Sequence, residues 1–544
     1  MAETQQAMSE KSYLIKNVSV VALCRILGVA TGIIADAMIL NKFGVGKETD
    51  ALFAAIAVPL VFTRILEIQA PNVLVPVFAS NAARYDRETF SYHTGNFIVI
   101  MALLLLTLSF LGMKASGLSM SIQVPGFQDS TRHLAINLNK LLFWLVFIQG
   151  LDTLIKCLLL SHHHFIVASS SKILVNLALV IAIMTLQSRL GIYAVAIGYV
   201  VGSFISLCIV SGAVFIAGIR IKIICKIADK QFHHTMKLFA LPLSGHVFGE
   251  SKDLIENYVI SFLSSGNLSI LRYATRIITA ITGVLLGGVV TTTLPLISQY
   301  AAHNDYAKMK ESFIRALKVI GLIAMPVCMW LIFTSKSLLD LLFVRGEFTI
   351  GDATLASIII ALMTPYVLFS RIISVSQTPF FATMDMKTPL YSMFVSFFTY
   401  IALALLFLRI IGIMAFPIAH SISTFLTSTF ILSVFIKKFG PVFSNDLGKF
   451  ALRLLLVTVC TGITFYCGAE LFNNFSKIDL FSKLLSFCVQ SALGFITFII
   501  SSIIFKLGDW NFFIDFIKRR KQKADSNVKN SSLVITKDSH NENY

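Results

Sequence analysis

From position 13 to position 505 the chain repeats one pattern: a long apolar run, a short polar or basic stretch, then another run. A helix rises about 1.5 Å per residue, so about 20 apolar residues cross a hydrocarbon core about 30 Å thick. The pattern predicts about fourteen such spans. The first six fall at 13–40, 50–79, 92–113, 133–160, 165–187 and 191–218. The next six fall at 235–263, 268–299, 311–335, 353–382, 387–409 and 412–436, and the last two at 447–472 and 480–507. The fold class is therefore an all-α integral membrane protein.

Composition agrees: 56% of the 544 residues are hydrophobic and 13% charged, where a soluble chain carries about 25% charged residues. The net charge of +17 would suit a nucleic-acid binder, but its distribution excludes that reading. Arg84, Arg87, Arg220, Lys222, Lys226, Lys230, Lys308, Lys310, Arg315, Lys437, Lys438 and the run Lys518 to Lys523 gather in alternate loops and the tail. Such a bias marks the cytoplasmic side and predicts an even number of spans with both termini in the cytoplasm. Residues 1–12 are polar and lack a signal-peptide pattern, so the first span should be retained. The eight cysteines show no CxxC pair and lie mostly in apolar runs, which predicts neither a structural disulfide nor a zinc site.

A break falls at 219–234, where Arg220, Lys222, Lys226 and Lys230 alternate with Ile221, Ile223 and Ile224. It reads either as a short amphipathic helix on the inner surface or as a plain basic loop. The first and seventh spans both carry polar residues and end at a glycine, Gly44 and Gly266, which hints at a duplicated pair of six-helix lobes. The expected organisation is an N-terminus 1–12, an N-lobe 13–218, the linker 219–234, a C-lobe 235–440, a final helix pair within 441–510 and a basic tail 511–544. Gly28-x-x-x-Gly32 and Gly283-x-x-x-Gly287 are candidate close-packing motifs. Prolines at 59, 76, 242, 295, 326, 365 and 379 allow bends within spans.

The chemistry sits in charges placed where charge is costly. Arg25, Arg64 and Arg276 lie deep in apolar runs; an arginine at mid-membrane costs about 2.5–3.5 kcal/mol on insertion scales and so faces a cavity or a partner. Guanidinium is planar, permanently charged and suited to phosphate. Three such groups point to a water-filled cavity for an anionic, phosphate-bearing substrate. The alternative is that Arg25 and Arg64 neutralise Asp36 or Glu67. Arg272 lies four residues before Arg276, on the same helix face; either one serves the substrate or a structural ion pair. In the seventh span His246, Glu250, Asp253 and Asn257 share a face. They form either a coupling-ion or proton site or ion pairs with Arg272, Arg276 or Lys252.

Other signals are weaker. Gly44-Val45-Gly46-Lys47-Glu48-Thr49 lacks the spacing and the preceding strand of a phosphate loop. The run His162-His163-His164 has no partner ligands nearby and reads as a solvated loop. With no nucleophile–base pair and no ATPase module, the chain reads as a transporter rather than an enzyme. It needs no cofactor, its energy coming from the membrane potential, an H+ or Na+ gradient, or the substrate gradient.

The stretch Arg25-Ile26-Leu27-Gly28, Phe43-Gly44, Thr49-Asp50-Ala51, Pro59, Arg64, Glu67 and Val75-Pro76 resembles the opening of the MurJ/MviN family. Tyr273-Ala274-x-Arg276, Gly283, Leu294-Pro295, Gly346-Glu347-Phe348-Thr349 and Ala382-x-x-Asp385-x-Lys387-Thr388-Pro389 continue the match to Pro389. These are lipid II flippases of the multidrug/oligosaccharidyl-lipid/polysaccharide exporter superfamily. The resemblance implies two six-helix lobes plus a last helix pair that forms a groove for the lipid tail. It implies that Arg25, Arg64 and Arg276 hold a pyrophosphate and that Asp50 is the family's acid at the start of the second helix. With Glu67 and Arg272 these make the candidate substrate-binding set; Glu250, Asp253, His246 and Asn257 make the candidate ion-coupling set. The family's second basic position in the first helix falls near Thr31 or Ala35, so the cavity should be basic with one charge fewer. The implied function is translocation of an undecaprenyl-pyrophosphate-linked peptidoglycan precursor across the bacterial inner membrane, with the cell-wall synthesis machinery as a partner. Two alternatives are a flippase for an O-antigen or exopolysaccharide unit and a drug/cation antiporter.

Overall fold

The computed structural model describes residues 2–162, 164–442, 445–473 and 480–507. His163 and the tail from 511 onward, with its Lys518–Lys523 cluster, lie outside the described residues. All regular structure among the described residues is helical. In chain order the helices are α1 (Ala2–Phe43), α2 (Lys47–Arg84), α3 (Arg87–Lys114), α4 (Ser116–Gln123), α5 (Asp129–Leu142), α6 (Trp144–Ser161), α7 (Phe165–Leu190) and α8 (Tyr193–Ile216). After the linker come α9 (Lys230–Ile260), α10 (Asn267–Ala302), α11 (Tyr306–Leu342), α12 (Ile350–Ala382), α13 (Lys387–Ile411), α14 (Ala415–Phe439), α15 (Asn445–Asn473) and α16 (Leu480–Ile504).

Among the described residues twelve stretches are long and apolar enough to cross a membrane. One of them, Lys387–Phe439, contains both α13 and α14, and α9 is long enough at 31 residues. The count is therefore about fourteen, as the hydrophobic pattern predicts.

The helix starts follow capping chemistry. Asp86 accepts from the Glu88 and Thr89 amides ahead of α3, and Asp229 accepts from the Phe232 amide ahead of α9. Thr349 and Asp352 exchange side-chain and backbone bonds at the start of α12, which accounts for the threonine of Gly346-Glu347-Phe348-Thr349.

Two packing units result. Among the described residues the larger runs to Ile320 and from Ser335 to Gly440; the smaller holds Gly321–Thr334 and the residues from Pro441. In the larger, α7 packs on α1 and α8, α6 on α2, α3 and α8, α12 on α10 and α14, and α9 on α2 and α13. In the smaller, α15 packs on α16 around Leu454, Val457 and Phe498, and Trp330 donates from Nε1 to Ser491 Oγ at 3.0 Å.

Small residues set the approach of α1 to α7. A Cβ on Gly28 would lie 3.4 Å from Lys172 Cβ, and one on Gly32 would lie 3.3 Å from Asn176 Nδ2. Gly283 has open space around it instead, and the side-chain surroundings of Gly287 are outside the described residues.

One sequence expectation changes, and one open alternative is decided. The span at 133–160 is two helices that meet at Phe143. Ser109 of α3 accounts for the break: its hydroxyl donates to the Phe143 carbonyl at 2.9 Å and accepts the Phe147 amide at 3.0 Å. It thus stands in for the helical bond between those two groups. The linker is not an amphipathic helix, because residues 219–226 run without regular structure across α3. The Lys222 amide donates to Ser91 O, Asn96 bonds both the amide and the carbonyl of Lys226, and a Cβ at Gly95 would collide with Lys222 O. External partners for the backbone replace the helical ones.

Candidate functional site

Helix α2 is built to bend around a cavity. Pro59 cannot donate to the carbonyl of Ala55, and buried Asn139 supplies the missing donor at 2.5 Å. Beside it, Gln123 donates to Ala54 O at 3.0 Å. Pro71 interrupts the same helix again. Arg64 and Glu67 lie between the two prolines, on the stretch that faces the cavity.

The cavity measures about 670 Å³ and is lined by residues of α1, α2, α6, α7, α8, α9 and α10. Five bases reach it, Arg64, Lys156, Lys172, Arg272 and Arg276, and five acids, Asp36, Glu67, Asp152, Glu250 and Asp253. The expected basic cavity is instead balanced. Desolvation explains this, since a base brought out of water needs a counter-charge.

The pairs cross between helices distant in sequence. Arg276 pairs with Asp36, Nε to Oδ2 at 2.9 Å, and donates through one terminal nitrogen to the Tyr199 hydroxyl at 3.5 Å. Arg64 reaches Asp253 at 3.2 Å and Glu250 at 3.4 Å. Lys172 pairs with Glu67 at 2.9 Å, and Lys156 pairs with Asp152 one turn before it on α6. Charge pairs thus link α1 to α10, α2 to α9 and α2 to α7, in addition to the packing of α9 on α2.

The two neighbouring arginines of α10 behave differently. The Arg276 side chain is 39% exposed. That of Arg272 is 12% exposed and fully engaged: it meets Asp253 at 2.9 Å, Glu256 at 2.8 Å, Asn257 Oδ1 at 2.7 Å and the Asp253 carbonyl at 2.8 Å. Glu256, 3% exposed, also accepts from Tyr400 at 2.5 Å and bonds His420 Nε2 at 2.9 Å. Lys252 donates to Ser396 at 2.7 Å. Arg272 thus anchors a buried network that Arg276 does not share.

The remaining sequence candidates are placed as follows. Arg25 is exposed on α1 and does not line the cavity. Asp50 is buried and caps α10, accepting from the Gly266 amide at 2.5 Å, the Ser269 amide at 2.8 Å and the Ser269 hydroxyl at 2.5 Å. Gly266 holds a left-handed φ of +94° there, which glycine adopts freely. Asn257 is buried behind the cavity as an acceptor for Arg272. His246 lies in α9, and its side chain is outside the described residues. The seventh-span stripe therefore resolves toward pairing: Glu250 and Asp253 meet arginines.

Asp152, Lys156, Lys172 and Tyr199 complete the lining and are not evident from the sequence. Asp152 and Lys156 carry a usable signal, two opposite charges four residues apart inside an apolar run. Lys172 carries none, since it stands near a span end where lysine is ordinary. Among the described residues no group of three or more His, Cys, Asp or Glu side chains is arranged to hold a metal, and no disulfide joins the cysteines.

The family model described as "Lipid II flippase MurJ" matches residues 39–486. A probable lipid II flippase MurJ of Buchnera aphidicola subsp. Baizongia pistaciae (strain Bp) is 22% identical over 494 residues, covering 89% of this chain and 96% of the relative. One from Vibrio cholerae serotype O1 is 24% identical over 432 residues, covering 76% and 81%. Among solved structures, a lipid II flippase MurJ in an inward closed conformation superposes with a TM-score of 0.74 at 22% identity, covering 90% of this chain and 99% of that one. An inward-facing multidrug transporter of the MATE family, in the MOP superfamily, superposes at 0.66 with 13% identity, covering 77% and 98%. These structures share the fold, and the family model spans most of the sequence: the chain is a multi-pass membrane protein of the lipid II flippase MurJ family.

Proposed function

We propose that this protein carries lipid II, an undecaprenyl-pyrophosphate-linked peptidoglycan precursor, from the inner to the outer leaflet of the bacterial inner membrane by alternating access. Arg64 and Arg276 receive the pyrophosphate. The observation that carries this reading is the state of Arg276: it is paired through one nitrogen with Asp36, half-exposed, and placed in a cavity walled by long apolar helices. A guanidinium has five N–H donors in a planar fork; in Arg276, Nε faces Asp36 and one terminal nitrogen meets the Tyr199 hydroxyl. The other N–H groups can meet phosphate oxygens.

Cargo binding then becomes an exchange. A pyrophosphate that takes Arg276 from Asp36 and Arg64 from Glu250 and Asp253 dissolves the ties of α1 to α10 and α2 to α9. Loss of those ties frees the two six-helix lobes, 13–218 and 235–440, to rock about the site. The undecaprenyl chain stays in lipid beside α15 and α16, whose exposed Leu452, Leu455, Val459 and Ile463 suit it. Both termini lie in the cytoplasm, cargo is released to the cell-wall synthesis machinery outside, and the membrane potential or an ion gradient resets the cycle. Glu250 and Asp253 are partnered by arginines rather than bare, which removes the main support for a cation antiporter.

Expression in bacteria depleted of their own lipid II flippase tests the proposal. Growth with the wild type and lysis with Arg276→Ala at equal membrane abundance is expected. Lysis with both would overturn lipid II as the cargo.

A further inference from the structure

The cavity holds its bases in two sets. Arg64, Arg272 and Arg276 stand on α2 and α10, while Lys156 and Lys172 stand on α6 and α7. The wall around the lysines differs in chemistry. Gln149 donates to Ser203 at 2.9 Å, Ser206 donates to Asp152 at 3.0 Å, and Asn176 donates to the Gly28 carbonyl at 3.0 Å. These are amides and hydroxyls, groups that hydrogen-bond sugars and peptides.

Glu67 joins the two sets. It stands three residues after Arg64 on α2, pairs with Lys172 at 2.9 Å, and feels the charges of Lys172, Lys156 and Arg64 together. The Lys172 side chain is 72% exposed, against 21% for Lys156, and both residues line the cavity. An ammonium is a compact point charge that pairs directly with a carboxylate, as Lys172 does with Glu67. When Arg64 and Arg276 hold the phosphates, a carboxylate further along the headgroup meets the lysine set.

Resting on the lipid II reading, we propose that Lys172, with Lys156, forms a second anion locus that binds a carboxylate of the cargo's peptide headgroup, displacing Glu67. The lysine pair would then set headgroup specificity, while the arginines secure the pyrophosphate carrier common to many lipid-linked glycans.

The test compares the purified wild type with a Lys156→Ala/Lys172→Ala double variant in binding three probes: lipid II, lipid II with its peptide carboxylates amidated, and undecaprenyl pyrophosphate without a headgroup. The variant should lose about tenfold in affinity for lipid II, the scale of one charge-assisted contact. It should match the wild type on the other two probes, and its retained binding of undecaprenyl pyrophosphate also reports that it is folded. Lys156→Arg/Lys172→Arg should restore lipid II binding. Unchanged lipid II affinity in the alanine variant would overturn the locus. Equal loss for lipid II and undecaprenyl pyrophosphate would overturn the carboxylate assignment and place the lysines on phosphate. Wild type that binds undecaprenyl pyrophosphate but discriminates against lipid II would overturn the cargo reading itself, separately from the locus.

Discussion

Asp36 on α1 holds Arg276 on α10 as an ion pair through one carboxylate oxygen at 2.9 Å, and the second oxygen is buried without a hydrogen-bond partner. The pair is therefore incomplete on both sides. A buried acceptor left unsatisfied costs about 1–3 kcal/mol, so the resting state is held less firmly than a bidentate pair would hold it. That suits a contact that must open on every transport cycle.

If Asp36 competes with cargo, its removal should tighten binding. Asp36→Asn is expected to raise the affinity for undecaprenyl pyrophosphate about fivefold, which corresponds to about 1 kcal/mol of released competition. Equilibrium binding to the purified variant measures this. Unchanged or weaker binding would contradict the exchange mechanism.

The two arginines of α10 should fail in different ways. Arg276→Ala should insert and fold normally yet not transport. Arg272→Ala strips the arginine counter-charge from buried Glu256, and breaking a buried pair costs about 3–5 kcal/mol. Its signature is a lowered unfolding temperature in detergent, with activity lost in proportion to folded protein. Arg272→Ala with wild-type stability would show that Arg272 does not anchor the buried network.

Gly95 should tolerate no side chain. A Cβ there would overlap the Lys222 carbonyl, and that contact is backbone, which cannot swing aside. Gly95→Ala is expected to lift the 219–226 segment from α3 and expose it. Limited proteolysis would show faster cleavage in the linker than in the wild type; equal cleavage rates would show the segment is not held by that approach.

Acid should weaken the connection between α12 and α13. Partial burial raises the Asp385 pKa, but the bond from Lys438 at 2.9 Å and those from Thr388 outweigh it, and the carboxyl sits below its ordinary value. A depressed carboxyl contributes stability above its unfolded pKa and loses it as pH falls through the folded one. The stabilisation should be intact at pH 6 and fade below about pH 4. Unfolding temperatures across that range should fall more steeply for the wild type than for Asp385→Asn. Parallel curves would remove Asp385 from the acid response.

Much of the architecture is legible in the pattern of apolar runs, because a membrane helix must satisfy its own backbone and so announces itself by length. Arg64, Arg276, Glu250 and Asp253 are legible for a related reason: charge inside an apolar run needs an explanation. Pairing is not legible. Asp36 is 240 residues from Arg276, and no spacing rule links them. The break at Phe143 is hidden because Ser109, which replaces the lost helical bond, lies on another helix. Arg25 looks as deep in its run as Arg64, yet periodicity alone does not say which side of α1 faces the cavity and which faces lipid.

In the proposed mechanism, Arg276 centrally holds a lipid pyrophosphate as it crosses the membrane. The most direct test is lipid II movement in reconstituted vesicles, read by the access of an externally added headgroup-modifying enzyme to lipid II that began inside. Rapid access is expected with wild-type protein, and a rate no higher than in empty vesicles with Arg276→Ala. Equal rates for the wild type and the variant, or a wild type no faster than empty vesicles, would contradict that role.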